Sequence, residues 1–326
     1  MFIGRKDELT QLRNAFAAER SNISVVYGRR RIGKSSLIAQ AARGYHFFSF
    51  EGLENQPISA QKKIFLEQLK AYGVVVDSPK TPSWFEILSS LAKLIDPQEI
   101  TVISLDELQW LANYRSELIS NIKLVWDRVL SKHNNLKLVL CGSIASFMVK
   151  KVIRSRALYG RSDLSLNVQP FKLAETKEML PGKSLEEIVL AQLLVGGIPK
   201  YLDLLNDKSS VTLALAFHCQ GMNAYFVNEY EKIFVSHFGN NTHYERIVRY
   251  LSARAYGASR KEICQALTLP NSGQLTELLE NLEYAGVIRS FVPFNKKANS
   301  GLKRFRLMDH FIRFYLTFLE PLKLKG

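Results

Sequence analysis

Short runs dense in Val, Ile, Leu and Phe recur along the first half of the chain, and between them apolar positions fall at helical spacing. The runs "ISVVYG", "YHFFSF", "TVISLD", "LKLVLCG" and "DLSLNV" predict five strands between residues 23 and 170. The spacing between them predicts helices over 34–42, 59–71, 83–95 and 116–131, with a short one over 143–151. "KDELTQLRNAFAA" predicts a further helix ahead of the first strand. Near-continuous apolar strands suit a sheet covered on both faces, and alternation with helices makes that sheet parallel. The expectation is a doubly wound α/β domain.

From about residue 171 to 240 the β-rich runs vanish and only helical patterns remain. Beyond 241, "SRKEICQALTL" opens with a capping box, Ser259 and Glu262, and "SGQLTELLENLEYAG" puts Leu275, Leu278, Leu279 and Leu282 on one face before Gly286. Two strand-like runs, "VIRSFVPF" and "LKRFRLMD", follow. Helix, turn, helix and hairpin is the pattern of a winged helix. Three segments result: an α/β core over 1–173, a helical segment over 174–238 and a winged-helix domain over 239–326.

A chain that is 47% hydrophobic and 23% charged has the make-up of a globular protein. No run approaches the roughly 18 apolar residues of a membrane span, and the N-terminus lacks the apolar core of a signal peptide. The three cysteines, Cys141, Cys219 and Cys264, lie far apart without metal-like spacing. These features predict a soluble, cytoplasmic protein with no membrane partner. The net charge of +14 changes the picture, because a basic balance favours polyanionic partners. The basic excess falls in residues 1–175 and 241–326, on either side of a slightly acidic middle.

"GRRRIGKS", Gly28 to Ser35, matches G-x-x-x-x-G-K-[ST] and lies between a predicted strand and a predicted helix. In that setting backbone N–H groups and a helix N-terminus face the phosphates of a nucleotide. Gly28, Arg29, Arg30, Arg31, Ile32, Gly33, Lys34, Ser35 and Ser36 are the expected contacts. Lys34 would neutralise phosphate charge and Ser35 would ligate Mg2+. Arg29 to Arg31 fill the variable positions, where their side chains are free to point outward. "TVISLDELQW" supplies the carboxylates such a loop requires: Asp106 to hold the metal and Glu107 to polarise water. Ser143, ending the next strand, suits either a γ-phosphate sensor or a helix cap. Arg161 suits either a charge-stabilising arginine, in its own site or a neighbour's, or a surface salt bridge. No guanine-reading N-K-x-D occurs, so ATP and ADP are the expected ligands.

Taken in order, "FIGRKDEL", "VVYGRRRIGKSSL", "TVISLDELQWL", "LVLCGS", "LYGRSDLSLNVQPF" and "VGGIPKYL" resemble the archaeal-type P-loop ATPases of the STAND class, in the AAA+-related clade called MNS. The resemblance runs from residue 2 to about 320. It implies a P-loop ATPase sheet ordered 5-1-4-3-2, a helical lid and a winged helix. By analogy Ile3, Gly4 and Arg5 border the adenine, and Gly197 and Pro199 of "GGIP" bring the lid over the base. Many relatives continue into a nuclease-like domain, which this sequence does not show, so no DNA-cutting activity is expected.

The reading that follows is an ATP-binding, slowly hydrolysing switch whose turnover moves the lid and winged helix. One alternative is an ATP-gated, initiator-like protein that binds duplex DNA through a basic wing of Lys296, Lys297, Lys303, Arg304 and Arg306. The second predicted helix argues against major-groove reading, because Glu277, Glu280 and Glu283 line its solvent face. A second alternative is a scaffold for a protein client that keeps its nucleotide bound. The oligomeric state is left open.

Overall fold

The five apolar runs form five strands, and their burial explains the composition. The computed structural model describes residues 2–77, 81–115, 117–221, 224–239, 241–294 and 302–323. Strands β1 (Asn22–Tyr27), β2 (His46–Glu51), β3 (Thr101–Asp106), β4 (Leu136–Gly142) and β5 (Ser162–Asn167) make one parallel sheet in the order β2-β3-β4-β1-β5. Read from the other edge this is 5-1-4-3-2. β3 and β4 are buried along their whole length, whereas most residues of the edge strands β2 and β5 are half-buried or exposed. That contrast is what a sheet with helices on both faces demands of its centre and its rims.

The helices of this unit are α1 (Lys6–Phe16), α2 (Lys34–Ala41), α3 (Ile58–Ala71), α4 (Trp84–Ser89), α5 (Leu108–Leu111), α6 (Glu117–Arg128) and α7 (Ala145–Phe147). The helix predicted over 83–95 is a capped α-turn that tightens into a 3-10 stretch over Ser90–Leu94, with Ser83 and Glu86 closing its capping box. The short one over 143–151 becomes α7 and then a π-helical stretch over Met148–Ile153. Helix α5 was not legible from periodicity, since four residues do not complete a pattern. It starts because Glu107 turns left-handed, φ 48°, directly after the strand.

The chain divides into two units, Met1–Gln169 and Pro170–Gly326. The second holds α8 (Leu173–Met179), α9 (Leu185–Val195), α10 (Pro199–Leu205), α11 (Val211–Cys219), α12 (Tyr225–Phe238), α13 (Thr242–Ser252), β6 (Ala258–Ser259), α14 (Arg260–Leu267), α15 (Gly273–Tyr284), β7 (Ile288–Phe291), β8 (Arg304–Leu307) and α16 (His310–Phe314). Tyr201, Phe226 and Phe311 form an aromatic cluster in its core, with ring centroids 5.1 to 5.7 Å apart. The two predicted helices are α14 and α15 and the two strand-like runs hold β7 and β8, preceded by the further helix α13, and the Ser259–Glu262 capping box starts α14. The addition is β6, two residues that complete an antiparallel sheet β6-β8-β7. Among the described residues no helix is long and apolar enough to cross a membrane.

Candidate functional site

Parallel strands deliver their carboxyl ends to one edge, and the chemistry of the first unit gathers there. β1 leads into the loop at Gly28, β3 into Asp106 and Glu107, and β4 into Ser143, with β4 interposed between β1 and β3. Gly28 carries φ 149°, and a methyl group on it would run into the carbonyl of Val168 just beyond β5. Only glycine lets the loop start there. Gly33, φ 88°, turns the chain into α2, and no side chain caps that helix, so its first N–H groups face the loop.

Lys34 is 6% exposed. Its Nζ donates to the carbonyl of Arg29 at 3.1 Å, spanning the loop. Ser35 Oγ donates to Asp106 Oδ2 at 2.5 Å, and the Glu107 backbone N–H donates to Oδ1 at 2.8 Å. Asp106 is thereby gripped on both oxygens while only 7% exposed. The buried thiol of Cys141 lies beside it, pushed well above the usual thiol range by burial and then by the Asp106 charge. Glu107 Oε2 accepts from Ser143 Oγ at 2.6 Å. The structure therefore brings Ser35 to Asp106 across the interposed strand, and Glu107 to Ser143 at the end of that strand.

The remaining expected residues are placed differently from one another. Arg5, left-handed at φ 60° and 3% exposed, donates to the Ile32 carbonyl at 3.0 Å and to the Gln169 carbonyl, and pairs with Glu8 at 3.2 Å. Its guanidinium thus ties the "FIGR" segment, which includes half-buried Ile3 and Gly4, to the buried Ile32 of the loop. Arg30 turns away from the loop, over the Trp110 ring at 5.3 Å and towards Glu54 at 3.4 Å. Arg29 offers its carbonyl to Lys34, Arg31 has a left-handed backbone, φ 68°, and Ser36 is exposed in the first turn of α2. Arg161 grips Asp127 on α6 bidentately, at 2.8 and 2.9 Å, on the surface of the unit. That pairing holds the Asp127 carboxyl below its usual range.

In the second unit, Gly196 and Gly197 both have positive φ, and Pro199 is the first residue of α10. Gly197 accepts the Phe171 N–H at 2.8 Å, and a methyl on it would meet the Phe171 carbonyl. The wing is less uniformly basic outward than its composition. Arg304 donates to the Gly257 carbonyl at 2.9 Å and pairs with Glu262 at 3.2 Å, and Lys303 reaches Glu283 at 3.8 Å. Arg306 is exposed opposite exposed Arg289. Lys296 and Lys297 lie outside the described residues.

Sequence reading missed Glu51, the last residue of β2 and the register partner of Asp106. Its carboxyl sits above the usual range, first through the protein around it, then through the charges of Asp106 and Glu107. A carboxylate at the end of an apolar strand was the available signal. A folded-state value raised in this way lowers stability as pH rises through it. Glu51→Gln is therefore expected to raise the thermal midpoint at pH 7 and to leave it unchanged well below about pH 4, where the carboxyl is protonated in both states. Calorimetry across pH checks the sign.

A glycine-walled loop between a central parallel strand and a helix, faced across one strand by an Asp-Glu pair, defines a P-loop nucleoside triphosphatase. The chain belongs to the family described as an ATPase domain predominantly from Archaea, which matches residues 2–205. An uncharacterised protein of Methanocaldococcus jannaschii is 27% identical, over 98% of this chain and 69% of that protein. Among solved structures, the Walker-type ATPase of Pyrococcus abyssi is similar with a TM-score of 0.65 at 19% identity, covering 97% of this chain and 96% of that one. The Aeropyrum pernix ORC2 protein, solved as ADPNP–ADP complexes, is similar with a TM-score of 0.58 at 16% identity, covering 99% and 95%. At such identities the likeness is one of fold.

Proposed function

We propose that the protein is an ATP-hydrolysing switch of the STAND class, built on the resemblance to its MNS clade. The observation that carries the reading is the pairing of Ser35 Oγ with Asp106 Oδ2 at 2.5 Å at the mouth of the loop. Two hard oxygens converge there on one point, which fits Mg2+, an ion that takes one or two protein oxygens and keeps several waters. Bound there, the ion would supply charge neutralisation between the phosphates. Lys34 exchanges the Arg29 carbonyl for phosphate oxygen, a stronger charge-assisted bond. Glu107 orients a water through its carboxylate and takes its proton, and Ser143 lies within reach to respond when the terminal phosphate leaves. Ile3 and Gly4 serve the adenine. Arg161 contributes to catalysis only by exchanging Asp127 for phosphate. The nucleotide state then biases an open–closed equilibrium.

A second reading, ATP-gated binding of duplex DNA, is favoured by one observation. Arg289 and Arg306 stand directly opposite each other on β7 and β8, a like-charge pair that costs stability and welcomes a bridging phosphate. Arg304 is occupied within the fold, so the wing available to DNA differs from the one composition suggests.

Steady-state phosphate release at low salt, with and without duplex DNA, tests both. Mg2+-dependent turnover that disappears in Ser35→Ala is expected. Stimulation by DNA that falls steeply with salt makes duplex DNA the client, with roughly one unit of log–log slope per phosphate neutralised. Indifference to DNA points to a protein client, and retained ADP without turnover in the wild-type chain overturns the hydrolytic reading.

A further inference from the structure

Two residues beyond Glu107, Gln109 lies in α5 with 0% exposure. Neither phosphate binding nor metal ligation requires a glutamine there. Its Nε2 donates to Glu107 Oε2 at 2.6 Å and to Ser143 Oγ at 3.1 Å. Ser143 Oγ donates in turn to the same Glu107 oxygen at 2.6 Å. The three side chains close a triangle in which both amide hydrogens and the hydroxyl hydrogen are used. The hydroxyl accepts from the amide and so must donate to the carboxylate, which fixes its direction. Glu107 Oε2 takes two donors, while Oε1 takes none among the described residues.

The other end of the same amide is unsatisfied. Gln109 Oε1 is buried without a hydrogen-bond partner and lies against the Cα of Gly142, where an added methyl would come within 2.7 Å of it. Reversing the amide would set its carbonyl oxygen against the Glu107 carboxylate, so the orientation is electrostatically determined. A buried acceptor without a partner lowers stability. Leucine, of similar volume, would avoid that cost, and glutamine is the better residue only if its N–H groups are needed. Glu107 needs them, because its left-handed backbone at the head of a four-residue helix leaves the carboxylate without a regular helical setting.

We propose that Gln109 is a positioning residue for hydrolysis: its amide joins Glu107 and Ser143 into one unit, so that Oε1 of Glu107 is presented to water and any movement of Ser143 is passed to the carboxylate. This rests on the reading of Glu107 as the water-orienting group.

The test uses the full chain with Gln109→Leu and with Gln109→Asn, which keeps the amide but is one methylene short. Phosphate release is measured as kcat and KM, with Mg-ATP affinity by calorimetry and the thermal midpoint alongside. The proposal expects kcat to fall about 10- to 100-fold, as for outer partners that orient a reacting group. KM, affinity and midpoint should be nearly unchanged, so that the loss falls on kcat alone, the mark of an interaction that acts in the chemical step. If the leucine variant does not fold, the asparagine variant carries the same expectation. An unchanged kcat overturns the proposal. So does a fall in kcat matched by weaker Mg-ATP binding and a lower midpoint, the mark of a structural role. If Lys34→Ala keeps wild-type affinity, or the wild-type chain has no turnover, the hydrolytic reading fails first and this proposal falls with it. Turnover that is intact, Lys34-dependent and indifferent to Gln109 removes the proposal alone.

Discussion

Glu107→Gln is expected to lower ATP turnover by about 10²- to 10⁴-fold, the usual worth of a positioned general base, equivalent to roughly 2.7–5.4 kcal/mol of barrier. The substitution keeps shape and removes charge. The glutamine carbonyl can accept the Ser143 and Gln109 donors that Glu107 Oε2 takes at 2.6 Å, so the fold has no reason to suffer. Mg-ATP affinity should stay at the wild-type value, because the phosphates are gripped by the loop and α2. Phosphate release and calorimetric binding on the same preparation separate the two effects. A variant that kept turnover within a few-fold would move the base elsewhere. Glu51 would be the next residue to test, since its raised carboxyl stands beside Asp106 in the sheet register.

Lys34→Ala should act on the other term. Lys34 is nearly buried, and its ammonium already satisfies itself on the Arg29 carbonyl at 3.1 Å, which keeps the charge poised over the loop. Losing a charge-assisted hydrogen bond costs about 1.5–3 kcal/mol, so Mg-ATP binding should weaken about 10- to 150-fold. The wild-type chain at 100 times its dissociation constant gains about 2.7 kcal/mol of stability from nucleotide, and the variant at the same concentration should lose from about half to about nine-tenths of that stabilisation. Scanning calorimetry with and without Mg-ATP reads it directly. An unchanged shift would mean that the loop does not hold the phosphates, and the whole site assignment would fall.

What the site owes to local sequence is clear from which residues were recognisable. The loop from Gly28 to Ser35 encodes its own geometry: two glycines where φ is positive or a Cβ would collide, and a Lys-Ser pair at the head of a helix. Asp106 and Glu107 announced themselves by ending a β-rich run, "TVISL", that is buried throughout. Arg161 could be read two ways because its meaning depends on what lies across from it, and Asp127 is 34 residues earlier in the chain. Arg5 was legible only as part of a motif; that its guanidinium braces Ile32 follows from folding. Glu51 carried no motif, and Gln109 was legible only inside the run "TVISLDELQWL", which gave it no role. One is brought to the site by strand register, the other by a helix too short to show a period.

By itself the sequence determined the alternation of strand and helix, the five apolar runs, the capping boxes and the phosphate loop. Each of these is written in residues a few positions apart, where propensity, periodicity and positive-φ requirements act. Only the tertiary structure decided that Ser35 meets Asp106, that Ser143 and Gln109 converge on Glu107, and that Arg304 of the wing is spent on Gly257 and Glu262 rather than presented outward. Apart from Gln109 and Glu107, two residues apart, those partnerships join positions distant in the chain and brought together by folding. A side chain's electrostatic role exists only once its partner is in place.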